Sequence, residues 1–109
     1  MAFPMREQVE DIEPIRTNQL LSREEAEYQA QFVPQWKLNE DSIERTVTFR
    51  DFRDAIEFVN RAADVAEAQD HHPDICIYYN KVKLVNSTHR LGGLTLDDFI
   101  LASALDQVV

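Results

Sequence analysis

The spacing of apolar residues predicts three amphipathic helices. A first helix begins at Ser22, which forms a capping-box pair with Glu25. A longer helix over residues 51–70 carries an alanine-rich apolar stripe: Phe52, Ala55, Ile56, Val59, Ala62, Ala63 and Ala66. A third helix begins at a second capping-box pair, Thr95 and Asp98. We expect most of one side of this helix to be formed by Leu96, Phe99, Ile100, Ser103 and Val108.

Four shorter segments alternate apolar and polar residues, which is typical of half-buried β-strands. They cover residues 36–38, 43–49, 75–79 and 82–84. Residues 39–41 supply one turn, and residues 80–81 supply a weaker one because the usual glycine is missing. The order is helix, hairpin, helix, hairpin, helix. This order predicts an α+β fold in which three helices pack on one face of a four-stranded antiparallel sheet.

The 109 residues fit one domain, preceded by an N-terminal arm. Residues 1–20 mix prolines and acidic residues without sustained periodicity, so we expect a flexible arm outside a compact domain of residues 21–109. Because 20 acidic residues against 11 basic ones give a net charge of −9, direct nucleic-acid binding is disfavoured. No apolar run approaches the roughly 18 residues that a membrane span needs.

A single cysteine and the absence of a signal-peptide pattern in residues 1–19 predict a cytoplasmic protein. Packing is the expected role of three further residues. Cys76 lies in a predicted strand and should be a buried small hydrophobe without thiolate activation. Trp36 should belong to the core, and Tyr79 should pack on the sheet.

All three histidines of the chain, His71, His72 and His89, lie within one segment of the second half. Histidine is the side chain whose ordinary pKa, about 6.5, allows proton transfer near neutral pH. His72 precedes Pro73, which disfavours helical geometry, so the long helix should end near Asp70 or His71. His71 would then lie at the negative end of the helix dipole, which favours its protonated form. Two neighbours in different environments can divide the roles of acid and base.

Other interpretations of these histidines exist. Each one alone could be a cap or a surface residue, and it is their joint arrangement that favours chemistry. A zinc site is the sharper alternative, since three nitrogen ligands suit catalytic zinc. We favour proton transfer without a metal, because adjacent histidines that point in different directions rarely chelate one ion.

Seven positions follow one another in a fixed order: Glu67, His71, His72, Pro73, Tyr79, His89 and Asp98. They resemble the active-site signature of the pterin-4a-carbinolamine dehydratases, whose members act on 4a-hydroxytetrahydrobiopterin and share the fold of dimerisation cofactors. The similarity extends to the neighbouring segments 70–73, 79–82, 87–89 and 101–103, and upstream to Trp36 and residues 49–52. It covers roughly residues 22–108 and leaves out only the arm.

The resemblance implies dehydration of 4a-hydroxytetrahydropterin to quinonoid dihydropterin, with no metal and no redox cofactor. A hydroxyl leaves carbon 4a while nitrogen 5 loses a proton, so the reaction needs an acid and a base. By analogy with the family, His72 and His89 are the principal proton-transfer groups and His71 assists. The resemblance and the polar chemistry of a pterin edge imply these substrate contacts: Glu67, Asp70, Pro73, Ser87, Thr88 and Asp98. Glu67 could instead orient an imidazole, and Asp98 could instead serve as a helix cap.

The resemblance also implies partners. It predicts a homo-oligomer, either a dimer joined through sheet edges or a tetramer built through helices, and a functional link to an aromatic amino-acid hydroxylase. Relatives that serve as dimerisation cofactors or assembly factors suggest an alternative, a non-catalytic interaction module on the same fold. Retention of all three histidines favours the enzyme.

Overall fold

The computed structural model describes residues 18–109. Most of the predicted arm therefore lies outside the described residues. The elements in chain order are α1 (Arg23–Ala30), β1 (Lys37–Leu38), β2 (Ile43–Thr48), α2 (Phe52–Gln69), β3 (Asp74–Tyr78), β4 (Lys81–Asn86), a 3₁₀ helix (His89–Leu91) and α3 (Leu96–Asp106). This order confirms the predicted α-β-β-α-β-β-α arrangement. No helix in the described range is long and apolar enough to span a membrane.

The four strands form one antiparallel sheet in the order β1-β2-β4-β3. Val82 at the centre of this sheet pairs with Val47 on one side and with Ile77 on the other. Because side chains alternate along a strand, one face of the sheet collects the apolar residues and the three helices cover that face. The two edge strands are β1, which has only two residues, and β3, which has five.

The core lies between this sheet face and the helices. Its largest fully buried apolar side chains come from both layers: Phe58, Ile43, Leu84, Leu101, Leu105 and Val82. The ring of Phe58 stacks on Phe49 with the centroids 5.1 Å apart. Of the stripe predicted for α2, the positions Ala55, Ala62 and Ala66 are buried, whereas Phe52 and Ala63 are exposed. Trp36 is buried as predicted.

The buried side of α3 differs from the predicted one. Its buried residues are Asp98, Phe99, Leu101, Ala102 and Leu105. Of the predicted side only Phe99 is buried, and Leu96, Ile100, Ser103 and Val108 are only partly covered. The helix is apolar nearly all round and packs against both α2 and β4, so apolar spacing alone could not identify the buried side.

Two predictions about packing in the second hairpin were wrong. Cys76 is exposed, because it lies in an edge strand and points away from the helices. Tyr79 is 67% exposed and occupies the turn with Asn80, so the turn begins one residue earlier than predicted. The φ angle of Tyr79 is 54°, a left-handed conformation that glycine adopts more easily. The Asn80 side chain holds this turn by donating to the Phe49 carbonyl at 2.9 Å.

Candidate active site

The C-terminal end of α2 places the first two histidines. Asp70 is the C-cap in a left-handed conformation (φ 51°), and its N–H donates to the carbonyls of Ala66 and Glu67. The His71 N–H also donates to the Ala66 carbonyl, at 3.2 Å. The helix therefore ends where the His72-Pro73 sequence predicted. The backbone reversal directs the His71 and His72 side chains to different partners.

His71 is paired with a buried carboxylate. Its Nε2 atom lies 2.6 Å from Oδ1 of Asp98, which is on the first turn of α3. Asp98 is fully buried, and the His71 side chain is 15% exposed. The other carboxylate oxygen, Oδ2, accepts the Thr95 N–H and the Thr88 hydroxyl, both at 2.9 Å. The capping box predicted at Thr95 and Asp98 is present, and Asp98 contacts a histidine in addition.

His72 is paired with a carboxylate in solvent. Its Nε2 atom lies 2.6 Å from Oε2 of Glu67, on the last turn of α2. Both side chains are more than half exposed, so the attraction between them contributes little to folding stability. The contact instead restrains the orientation of the imidazole, because Nε2 faces Glu67 and Nδ1 is directed away from it.

His89 reaches the same end of the sheet from the other direction. It begins the 3₁₀ helix that follows β4, and its Nε2 atom lies 3.7 Å from Oδ2 of Asp74. The antiparallel register pairs Asp74 with Val85, which brings the start of β3 beside the end of β4. The contact with Asp74 was not predicted. Asp74 directly follows the His-His-Pro run, and only the strand register could have indicated its position.

The remaining predicted substrate contacts differ in where their side chains lie. Asp70 is exposed and Pro73 is half-buried, both beside the histidine pair. The hydroxyl of Ser87 donates to the Asp41 carbonyl at 2.8 Å, so it faces the β1–β2 turn. Thr88 is 2% exposed and its hydroxyl bonds inside the protein.

One buried polar residue beside the site was missed by sequence reasoning. Asn86 ends β4 and is fully buried, and its side-chain N–H donates to the main-chain carbonyl of Asp98 at 3.0 Å. This bond ties the end of β4 to the first turn of α3. A polar residue at the end of an apolar strand pattern was the available signal.

Among residues 18–109, no group of three or more His, Cys, Asp or Glu side chains is placed to hold a metal ion. Two surface cavities beside α1, each of about 320–360 Å³, have none of the histidines in their walls. His72 and His89 are each more than half exposed in the described part of the chain, so both are accessible to a ligand.

Comparison with known proteins identifies the family. The family model for pterin 4 alpha carbinolamine dehydratase matches residues 19–108. The chain belongs to this family. The match confirms the resemblance noted in the sequence, and the structural neighbour confirms the α+β fold. The family is one of hydro-lyases.

Individual relatives agree with this assignment. A Nostoc punctiforme protein provisionally named a pterin-4-alpha-carbinolamine dehydratase is 47% identical over 90 residues, which cover 83% of this chain and 97% of that one. A Halorhodospira halophila protein with the same provisional name is 46% identical over 88 residues, 79% of this chain and 81% of that one. The crystal structure of a Brucella melitensis transcriptional coactivator/pterin dehydratase superposes with a TM-score of 0.77 at 29% identity. That match covers 83% of this chain and 98% of the other.

Proposed function

We propose that this protein dehydrates 4a-hydroxytetrahydropterin to quinonoid dihydropterin and water by histidine acid–base catalysis. The observation that carries the proposal is the convergence of the three histidines at one end of the sheet, each beside a carboxylate. The product would feed the recycling of a tetrahydropterin, the cofactor of an aromatic amino-acid hydroxylase.

The chemistry divides between an acid and a base. The bond from carbon 4a to its hydroxyl breaks as a protonated imidazole supplies a proton, and water leaves. A neutral imidazole takes the proton from nitrogen 5, whose electron pair forms the new double bond to carbon 4a. One proton is given and one is taken, so the two imidazoles together need no other reactant.

His72 and His89 are the principal candidates for these two roles. Both are more than half exposed, so a pterin can reach them. Each of the two lies beside a carboxylate, Glu67 for His72 and Asp74 for His89. His71 is mostly covered and held by Asp98, which suits it to assist and to position the ring. Glu67, Asp70 and Pro73 are the candidate pterin contacts around them, and Ser87, whose hydroxyl donates to the Asp41 carbonyl, could contact a pterin only as an acceptor.

The test is the rate of 4a-hydroxytetrahydropterin dehydration above the spontaneous rate, followed by absorbance. His72→Ala and His89→Ala should each lower turnover by about 10²-fold, the usual contribution of a general acid or base. Asp64→Ala, which removes an exposed acid one turn before Glu67 on α2, is the matched control and should keep full turnover. Nearly full activity in both histidine variants would refute the assignment, and no acceleration by the wild type would refute the function.

We also propose that the chain forms a homo-oligomer through β3. This strand is an edge of the sheet and its side chains Ile77 and Tyr78 are exposed. An open edge invites pairing with a second copy. Cys76→Lys places a charge in the middle of this edge strand. The matched control is Thr46→Lys on β2, which places the same charge at the same level of the sheet, because Thr46 and Cys76 both pair with Lys83. Sedimentation should show a smaller species for Cys76→Lys only; an unchanged oligomer in that variant would contradict the proposal.

A second candidate function is a non-catalytic interaction module. The name of the Brucella melitensis neighbour, transcriptional coactivator/pterin dehydratase, is the observation that favours it. The dehydration assay separates the two. A folded oligomer that does not accelerate the reaction would favour the module, whereas acceleration that depends on the histidines would establish the enzyme.

A further inference from the structure

The buried hydroxyl of Thr88 is part of a hydrogen-bond chain that ends at His71. Thr88 Oγ1 lies 2.9 Å from Asp98 Oδ2 and 2.8 Å from Thr95 Oγ1. All three residues are at most 2% exposed. Asp98 Oδ1 then lies 2.6 Å from His71 Nε2. The chain of contacts therefore runs from the interior of the protein to an imidazole at the surface.

Counting the available hydrogens shows which group donates in each of these hydrogen bonds. An ionised carboxylate only accepts hydrogen bonds, so the single hydroxyl hydrogen of Thr88 is committed to Asp98. Thr88 must then accept from the hydroxyl of Thr95, because it has no second hydrogen to donate. Oδ2 of Asp98 thus receives two donors, the Thr88 hydroxyl and the Thr95 N–H.

The Asp98 carboxylate in turn determines which ring nitrogen of His71 carries a hydrogen. Its Oδ1 atom can only accept, so Nε2 of His71 must carry a hydrogen. In the neutral imidazole the other nitrogen, Nδ1, is then the one with a free lone pair. Within residues 18–109 this Nδ1 atom has no hydrogen-bond partner, and the His71 side chain is 15% exposed.

We propose that Thr88 is a positioning residue which, with Thr95, holds Asp98 so that His71 presents Nδ1 to the pterin. The inference rests on the proposed function for its catalytic consequence. It replaces the predicted pterin contacts of Thr88 and Asp98 by an internal role, because neither side chain is accessible. Thr88 and Asp98 therefore support the site without touching the substrate.

The decisive measurement needs no substrate. Nitrogen-15 spectra of histidine-labelled full-length protein, at a pH where the imidazole is neutral, report which ring nitrogen carries the hydrogen. The His71 signals are assigned by their absence in His71→Gln. In the wild type the hydrogen should be on Nε2. In Thr88→Val the Asp98 carboxylate loses the hydroxyl that holds its orientation towards His71, so both neutral tautomers should be populated. Thr88→Ser, which restores the hydroxyl, and Thr46→Val, an exposed threonine of β2, should match the wild type.

Kinetics distinguish a positioning residue from a substrate contact. Thr88→Val should lower kcat about tenfold with KM unchanged, the scale of one hydrogen bond to a charged group, and Thr88→Ser should recover most of kcat. A raised KM with kcat unchanged would instead make Thr88 a pterin contact.

Several outcomes would overturn the proposal independently of the dehydratase assay. A hydrogen on Nδ1 of His71 in the wild type would do so, and so would a wild-type tautomer in Thr88→Val. If that variant fails to fold, Thr88→Ala removes the same hydroxyl and gives the same test. If the wild-type protein does not dehydrate the pterin, the proposed function fails, but the tautomer measurement still decides the role of Thr88.

Discussion

The contact between Asp106 and the first hairpin gives a quantitative prediction about stability. Asp106 is the last residue of α3, and its Oδ1 atom accepts from Trp36 Nε1 at 2.8 Å and from Arg45 Nη1 at 2.6 Å. Trp36 is buried, and the side chains of Arg45 and Asp106 are 17% and 24% exposed. One carboxylate oxygen thus joins α3 to β2 and to the residue that precedes β1, across 61 and 70 residues of sequence.

The expected costs differ for two substitutions. Asp106→Ala leaves the buried Trp36 N–H without an acceptor, which costs about 1–3 kcal/mol. It also leaves Arg45 unpaired, which adds about 1 kcal/mol for an ion pair of this partial exposure. The total is roughly 2–4 kcal/mol. Asp106→Asn keeps an acceptor for Trp36 and loses only the charge, so it should cost about 1 kcal/mol.

Urea unfolding followed by circular dichroism at fixed protein concentration measures both costs. A double-mutant cycle with Trp36→Phe isolates the indole contribution, because Asp106→Ala should then cost about 1 kcal/mol. Equal destabilisation by Asp106→Ala and Asp106→Asn would refute the argument that the indole N–H needs this acceptor. A coupling energy below about 0.5 kcal/mol between Trp36 and Asp106 would refute it as well.

Three further predictions concern the surface. The Ser22 N–H, with the Ser22 hydroxyl, holds the pKa of Glu25 below its usual value, so its contribution to stability is present at neutral pH and is lost as the pH falls through the lowered pKa. Glu25→Gln should therefore be less stable than wild type at pH 7 in thermal unfolding, and the difference should shrink as the pH falls through the acidic range; a constant difference would contradict this. Tyr79→Gly should raise the free energy of unfolding by roughly 0.5–1 kcal/mol by relieving the positive φ, and a loss of stability would show that the exposed ring contributes. Cys76 lies in the edge strand proposed to join two copies, so it should react with a thiol reagent more slowly in the folded oligomer than in urea, whereas equal rates would place it outside the interface.

Sequence reasoning was most successful where the determining interactions are local. The capping boxes at Ser22 and at Thr95 are present, and α2 ends at Asp70, because each depends on residues within one turn. It failed for the buried side of α3 and for Cys76, since both depend on which neighbours cover an element. Arg45 shows the same limit. It breaks the apolar face of β2, and only its contact with Asp106 explains that position.

The candidate site shows most clearly the difference between what local sequence determines and what tertiary packing determines. The sequence by itself determined that histidines follow the long helix, that the helix must end before Pro73, and that a resemblance to pterin dehydratases covers these positions. Only the tertiary structure decided that Asp98 lies against His71, that Asp74 lies near His89, and that Thr88 faces inward. The physical reason is distance along the chain. Helix caps and strand patterns arise from neighbouring residues, whereas the site forms when the antiparallel register of β3 and β4 and the packing of α3 bring separate segments together.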